Sequence, residues 1–277
     1  MSIMNKFADD TKLGHRVVSA ADSADLQSCL DRLLDWSKTW CMNFNVKKCK
    51  VVHVGRGNQQ HDYSMDGVKL DSIQQERDIG VIIQDNLKPS IQCAEAARKA
   101  GAVLGQISRT FLYRDRITFL KLYTQFVRCH LEFASPAWAP WSVGDKEILE
   151  KIQRRAVNLI SGLKSSTYED KLKELGILSL ESRRLRADLI QVYKILKGID
   201  DVDSPIWFTP VGNDVARPTR STAYHGNLIA GNSRLDIRRH FFSNRVVSSW
   251  NSLPIEIKDT GTLSRFKNLL NNLLLNQ

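Results

Sequence analysis

The sequence predicts an α+β protein, in which a first part with short strands precedes an all-α helical bundle and a small basic tail. Three observations support this prediction. Two aspartates, Asp9 and Asp10, stand between an aromatic residue and a β-prone run, which indicates the turn of a β-hairpin. After Pro89, apolar residues recur at helical spacing. The net charge of +10 lies downstream of the hairpin.

The hairpin is predicted around residues 6–11, with Asp9 and Asp10 at its tip and a second strand through Val18. Like charges this close repel each other, so such a pair is kept either by full solvation or by a divalent cation. Mg²⁺ takes oxygen ligands from one or two carboxylates and completes its shell with water and substrate phosphate. A solvated turn and a Mg²⁺ site are therefore the two interpretations of Asp9 and Asp10.

The next segments predict one helix and several strands. An amphipathic helix is expected from Asp25 to about Asn43, followed by a strand over residues 51–55. The pairs Gly57-Asn58 and Asp66-Gly67 indicate hairpin turns. An apolar strand over residues 76–85 contains Gly80, which indicates either close approach of another backbone or a bulged edge strand.

The region after Pro89 predicts a bundle of four helices. Prolines and polar runs separate them. The helices are expected over residues 91–110, 116–130, 146–163 and 168–196, with breaks at residues 113–115, at Pro136 and Pro140, and at residues 164–166.

The charge distribution favours nucleic-acid binding by the later part of the chain. Residues 1–90 carry 12 basic and 12 acidic side chains, residues 91–200 carry 19 and 12, and residues 215–277 carry 9 and 3. Basic segments of this kind neutralise phosphates, although basic surfaces are also common on solvated helices. The candidate phosphate contacts are Lys151, Arg154, Arg155, Arg183, Arg184, Arg186, Arg238 and Arg239.

Composition points to an intracellular protein. Its apolar runs are too short to span a bilayer, and the amino terminus lacks the layout of a signal peptide, so a nuclear or cytoplasmic location and no membrane are expected. Its five cysteines are widely spaced and include no Cys-x-x-Cys pair, which favours reduced thiols.

The segment Phe7–Thr11 resembles the aromatic-Ala-Asp-Asp box of reverse transcriptases, in the Phe-Ala-Asp-Asp-Thr form of non-LTR (LINE-type) retrotransposons. Together with five later segments it is similar to the carboxyl-terminal portion of jockey-like or chicken-repeat-type polymerases, over nearly the whole chain. The arrays EKIQRRA and SWNSLP are narrower signals than the Asp-Asp box. The later segments are residues 45–49, 79–82, 131–133, 153–156 and 234–254.

This resemblance implies four regions. Residues 1–89 would be a partial polymerase palm, residues 90–199 a helical thumb, residues 200–214 a linker and residues 215–277 a basic C-terminal tail domain. The strand over residues 76–85 would then correspond to the primer grip.

The resemblance also implies RNA-directed DNA polymerase activity with Mg²⁺, an RNA template, a DNA primer and deoxynucleoside triphosphates. Asp9 and Asp10 would hold the metal. Lys48, in the Asn-x-x-Lys-Cys pattern, would lie near the phosphates and neutralise or protonate departing pyrophosphate. A solvated rim of lysines is the alternative for Lys48.

One departure from the family limits the expected activity. The upstream catalytic aspartate, the fingers and the first palm half precede the Asp-Asp box, where this sequence has six residues. Two-metal phosphoryl transfer needs that third carboxylate. The chain by itself is therefore expected to be inactive. The alternatives are a non-catalytic nucleic-acid-binding remnant, or a sheet with an exposed edge and no stable function.

Overall fold

The computed structural model describes residues 2–163, 167–211 and 226–275. The protein is a mixed α+β protein, as the sequence predicts. It divides into two compact units, residues 1–88 and residues 89–277. Among the described residues, all strands except one short pair lie in the first unit, and the second unit is mainly helical.

The first unit opens with an antiparallel hairpin of β1 (Ser2–Phe7) and β2 (Asp10–His15). Phe7 lies opposite Asp10, so Ala8 and Asp9 form a two-residue loop. The second strand ends at His15 and not at Val18, because the Val18 N–H is bonded to the Asp22 carboxylate, 2.9 Å away. Val18 therefore belongs to the capping segment that precedes the following helix.

Helix α1 (Ala20–Thr39) begins five residues before the predicted start. Ser19 and Asp22 form a capping box, in which each side chain accepts a hydrogen bond from the other residue's backbone N–H. The hydrogen bond from the Val18 N–H, followed by those from the Ser19 hydroxyl and the Ser19 N–H, holds the pKa of the Asp22 carboxylate below its usual value. The apolar face of α1 packs on a small core whose buried members are Tyr63, Met65 and Leu70.

The other strands of the first unit are short and pair two by two. β3 (Lys50–Val52) runs parallel to β6 (Asp71–Ile73). β4 (Ser64–Met65) and β5 (Val68–Lys69) form a hairpin around Asp66-Gly67, as predicted. Gly57-Asn58 makes a turn but no hairpin, since the strands on its two sides do not pair. Each sheet of the described residues has two strands, so β1 and β2 form a sheet of their own.

The predicted single strand over residues 76–85 is wrong. The structure has two antiparallel strands there, β7 (Gln75–Asp78) and β8 (Val81–Gln84). Ile79 and Gly80 form the turn between them, with φ of 45° and 83°. A tight hairpin turn needs positive φ, which glycine adopts without strain. Gly80 is therefore a turn residue and does not mark a close approach within a strand.

The helices of the second unit follow the predicted order with two changes. The break predicted at Pro136 contains a short additional helix over Ser135–Trp138, with Pro136 in its first turn, where proline is tolerated. The predicted helix over residues 168–196 is two helices, because Gly176 ends the first with φ of 67° and Ser179 caps the second. The predicted break at residues 164–166 lies outside the described residues. The helices are α2 (Ser90–Thr110), α3 (Arg116–Leu122), a π-helical turn (Tyr123–Val127), α4 (Arg128–Glu132), α5 (Ser135–Trp138), α6 (Val143–Asn158), α7 (Tyr168–Leu175) and α8 (Leu180–Leu196).

Short elements make up the C-terminal part of the second unit. Two short strands of this part pair in an antiparallel sheet, and the last helix is the longest of the segment. The elements are α9 (Ser204–Trp207), β9 (Thr209–Pro210), β10 (Leu228–Ile229), α10 (Asp236–Arg239), α11 (Phe242–Arg245), α12 (Val247–Asn251), α13 (Ile255–Lys258) and α14 (Leu263–Leu275).

The expected linker and the expected separate tail domain are both corrected by the packing. Phe208 is buried, so residues 200–211 are not an open linker; residues 212–214 lie outside the described residues. Tyr193 of α8, Trp250 and Phe266 belong to one hydrophobic cluster. The described tail, residues 226–275, therefore shares its core with α8, because its apolar residues cover that helix.

Within the described ranges, no helix combines the length and the apolar character that crossing a bilayer requires.

Candidate functional site

The tip of the β1–β2 hairpin presents two exposed carboxylates. Asp9 lies in the loop, and Asp10 is the first residue of β2. Ala8, which precedes them, has a positive φ of 52°. Neither carboxylate forms an ion pair with any residue that the structure describes. Both are therefore available to a cation from solvent.

The strands below the tip are attached to the rest of the first unit. The Lys6 ammonium lies 4.6 Å from the centre of the Trp36 ring of α1. Lys12 forms an ion pair with Asp78 of β7. Along β2 the side chains alternate, so that Thr11 and Leu13 are half-buried whereas Asp10 is exposed. The hairpin is thus fixed through its strands, and its carboxylates stay free.

Asp9 and Asp10 fit part of a Mg²⁺ site and not a complete one. Exposed carboxylate oxygens are suitable ligands for this ion. Two-metal phosphoryl transfer requires a third carboxylate that bridges both ions. In residues 2–163, 167–211 and 226–275, no three His, Cys, Asp or Glu side chains gather as possible metal ligands. A third ligand would have to come from elsewhere.

Lys48 lies in a short 3₁₀ turn, Val46–Lys48, directly before β3. Its side chain is exposed. It belongs to the same unit as the hairpin, but no hydrogen bond or ion pair joins it to Asp9 or Asp10 among the described residues. The structure therefore leaves open both interpretations of Lys48, as a phosphate neighbour and as part of a solvated rim.

Helix α6 brings three predicted contacts together. Lys151, Arg154 and Arg155 line one shallow depression, and we call these three residues the α6 basic surface. Lys151 and Arg155 are exposed. Arg154 is partly held in place, because it pairs with Glu147 and its guanidinium lies 5.1 Å from the centre of the Tyr168 ring. The pairing with Glu147 also raises the pKa of Arg154.

The three predicted arginines of α8 do not form one surface. Arg184 is only 5% exposed, because it lies on the same helix face as the buried Leu180 and Asp188, four residues to either side. Burial lowers the pKa of Arg184. Its two terminal nitrogens have no hydrogen-bond partner among the described residues. Arg184 is therefore an interior residue, and the expectation of an exposed phosphate contact is corrected for it.

Arg238 and Arg239 are exposed in α10. The Arg238 guanidinium lies 5.3 Å from the centre of the Phe241 ring, and Arg239 forms a 3.3 Å ion pair with Asp236 in the same helix. Both side chains remain accessible for phosphates.

Sequence reasoning missed two residues of α4, Arg128 and Glu132. Arg183 of α8 forms two hydrogen bonds with Glu132, and Arg128 lies 3.6 Å from the same carboxylate. Arg128 and Glu132 are four residues apart, which is the spacing of a helical ion pair, and this spacing was the available signal. We call Arg128, Glu132, Arg183 and Arg186 the Glu132 cluster.

No family model, curated protein or solved structure matches the chain. The hairpin carboxylates and the basic residues are therefore the features that indicate a function.

Proposed function

We propose that this chain is the carboxyl-terminal part of an RNA-directed DNA polymerase of the non-LTR retrotransposon type. The observation that most supports it is the register of the hairpin, with Asp9 in a two-residue loop and Asp10 opposite Phe7 at an exposed tip. That arrangement agrees with the resemblance of residues 7–11 to the polymerase box. The palm, thumb and tail assignments belong to this proposal.

In the proposed reaction, Asp9 and Asp10 would hold Mg²⁺, and the ion would neutralise charge at the phosphates of the incoming deoxynucleoside triphosphate. Lys48 neutralises or protonates the departing pyrophosphate. The α6 basic surface and Arg238 and Arg239 hold the RNA template and the DNA primer by their phosphates. A third carboxylate completes the metal site, and residues 2–88 do not provide it.

Metal binding at the hairpin is tested without any activity assay. Mn²⁺ substitutes for Mg²⁺ and broadens the NMR signals of nearby nuclei. We expect selective broadening of the backbone amides of residues 8–11 in the full chain, and loss of this broadening in Asp9→Asn and Asp10→Asn. Asp66→Asn is the matched control, because Asp66 also lies in a two-residue hairpin turn. Broadening that Asp9→Asn leaves unchanged would contradict the proposal.

Activity separates the chain from a complete enzyme. Primer extension on an RNA template should be undetectable for residues 1–277, since two carboxylates alone do not complete the ligand set that two-metal phosphoryl transfer requires. Fusion of a family amino-terminal half that carries the third aspartate should restore it, and Asp9→Ala should abolish the restored activity. Mg²⁺-dependent extension by the chain alone, lost in Asp9→Ala, would refute the requirement for that aspartate.

A second candidate function is non-catalytic nucleic-acid binding. The α6 basic surface favours this function, because three basic side chains line the same depression. Binding of an RNA–DNA duplex should weaken with salt, with a log–log slope of about −0.9 for each phosphate that is neutralised on a B-form duplex. The double variant Lys151→Gln, Arg155→Gln should have a less negative slope, and Asp9→Ala should leave the slope unchanged. Duplex binding without metal binding at the hairpin would favour this function over the first.

A further inference from the structure

The Glu132 cluster carries an excess of positive charge. It contains three guanidinium groups and one carboxylate, on two helices of the same unit. Arg183 uses both oxygens of Glu132, with Nη2 2.9 Å from Oε2 and Nε bonded to Oε1. Arg128 shares Oε1 at 3.6 Å. One carboxylate thus serves two arginines, and the cluster, with Arg186 included, keeps a net charge of +2.

Arg186, three residues after Arg183 and therefore on the same side of α8, has an unmet hydrogen bond. Its Nε atom is buried and has no partner among the described residues. Burial lowers the pKa of Arg186, and the neighbouring Arg183 and Arg128 lower it further, while Glu132 opposes them. A buried charged donor without an acceptor is costly, and native structures usually supply it with an ion or an ordered water.

The cluster is nevertheless within reach of solvent. The side chains of Arg128, Arg183 and Glu132 are 18%, 22% and 24% exposed. Partial burial excludes most water, so a charge that binds there interacts with the guanidinium groups more strongly than at an open surface. A ligand at this site must therefore be an anion with several acceptor oxygens.

We propose that the Glu132 cluster binds one phosphate group. A guanidinium presents its N–H donors as a planar fork that matches two phosphate oxygens, which a lysine ammonium does not. A free phosphate dianion balances the net charge of the cluster in full, and the single charge of a nucleic-acid phosphodiester balances half of it. Either phosphate also accepts the unmet Nε–H bond of Arg186, and it competes with Glu132 for Arg183.

The phosphate has two possible sources, a nucleic-acid backbone or free phosphate. Only the first source rests on the proposed function, because the charge imbalance exists without it. The site adds Arg128 to the contacts expected from the sequence, and it makes Glu132 the residue that keeps the arginines in place when phosphate is absent.

The test observes the arginine side chains of the full chain by NMR during a titration with inorganic phosphate. The Nε–H signals of Arg183 and Arg186 should shift and saturate, and that of Arg98 should not. Arg98 is the matched control, because it is an arginine of the same unit that is paired with Glu95 and exposed. Arg186→Gln should weaken phosphate binding about tenfold, as expected for the loss of a charge-assisted bond, whereas Arg98→Gln should leave it unchanged.

Two further variants separate binding from folding. Arg186→Lys keeps the charge but not the planar fork, so it should fold and still bind phosphate more weakly than the unaltered chain. Glu132→Gln removes the competing carboxylate and should tighten phosphate binding. If Arg186→Gln fails to fold, these two variants decide, and unchanged affinity in both would overturn the site.

A second titration with an RNA–DNA duplex identifies the source. Displacement of phosphate from Arg186 by the duplex supports the site and assigns it to a nucleic-acid backbone. A response to phosphate but not to the duplex supports the site with free phosphate as its ligand. No response of Arg186 to either, or an equal response of Arg98, overturns it. Duplex binding that depends on Lys151 and Arg155 but not on Arg186 would leave the proposed function standing and this site refuted.

Discussion

Arg245 of α11 and Asp188 of α8 form a buried ion pair. Arg245 Nη2 lies 2.8 Å from Asp188 Oδ1, and Nε lies 2.9 Å from Oδ2. The side chains are 16% and 8% exposed. The same guanidinium donates to the Pro136 carbonyl oxygen, 2.8 Å away. The C-terminal segment is thus attached to α8 and α5 by charge as well as by apolar packing.

Arg245→Ala should lower the free energy of unfolding of the second unit by about 3–5 kcal/mol, because it leaves the Asp188 carboxylate buried without its partner. Urea unfolding followed by circular dichroism measures this change. Arg239→Ala is the control, since the Arg239–Asp236 pair is exposed and should contribute less than about 1 kcal/mol. Equal effects of the two substitutions would contradict the prediction.

The effect of Arg245→Ala should also depend on pH. Burial raises the pKa of Asp188, and the hydrogen bonds from Arg245 oppose that rise. Removal of Arg245 should therefore raise the pKa further. When the pKa of an acid is higher in the folded state than in the unfolded state, the stability of the folded state falls as the pH rises through the folded-state pKa. The deficit of the variant relative to the unaltered chain should be smaller near pH 4 than at pH 7, in urea unfolding at both values.

Phe266→Ala should destabilise the second unit by about 3–5 kcal/mol, since it opens a cavity in a closed core. Phe266 is fully buried, and its ring centre lies 4.2 Å from that of Tyr193 in α8. Leu275→Ala, at the 38% exposed end of the same helix, should cost less than about 1 kcal/mol. If the tail were an independent domain, Phe266→Ala would leave the unfolding of α8 unchanged.

Gly176→Ala should cost about 1 kcal/mol, although no atom obstructs an added methyl group. Its φ of 67° is unfavourable for any residue with a Cβ. Gly144→Ala is the matched change, because Gly144 lies in the first turn of α6, with open space and no positive φ. That substitution should stabilise the chain by about 0.5–1 kcal/mol. Thermal unfolding of the two variants should therefore move in opposite directions.

Cysteine labelling should separate the two units. Cys93 is fully buried, and burial raises its pKa to about 12. Iodoacetamide at pH 8 should therefore label the exposed Cys41 and Cys129 in the folded chain, and Cys93 only after the second unit unfolds. Cys49, packed beside the small core of the first unit, should become reactive at a lower urea concentration. Simultaneous exposure of Cys49 and Cys93 would mean that the two units unfold together.

The fold was predictable where a local rule decides it. The hairpin at Asp9 and Asp10, the turn at Asp66-Gly67 and the start of α2 next to Pro89 depend on residues adjacent in sequence. Prediction failed at Gly80 and Gly176, where a glycine inside an apparently continuous pattern adopts positive φ. The pattern alone does not distinguish a glycine that continues an element from one that ends it.

The candidate site was predictable only in part, for a similar reason. Asp9 is exposed because it lies in a hairpin loop, and Lys151 and Arg155 are exposed because they lie on the polar face of α6. Arg184 is buried because its side of α8, which it shares with Leu180 and Asp188, faces the interior of the second unit, and this tertiary packing has no local signal. The tail was expected to stand apart because of its charge, yet its aromatic residues pack against α8. The charge composition of a segment indicates how polar its surface is, but it does not indicate which helix its apolar residues pack against.

The π-helical turn at Tyr123–Val127 determines the direction in which the side chains of α4 point. The Arg128 N–H bonds to the Tyr123 carbonyl oxygen five residues earlier, which is equivalent to one residue inserted into an α-helix. The extra residue keeps the buried Phe119, Tyr123, Val127 and Leu131 in line at spacings of four. Related chains that lack it would turn α4 by about 100° and carry Arg128 and Glu132 away from α8. Relatives with the same arginine arrangement should therefore keep the extra residue at this turn. The number of residues here identifies them as well as the residue types do.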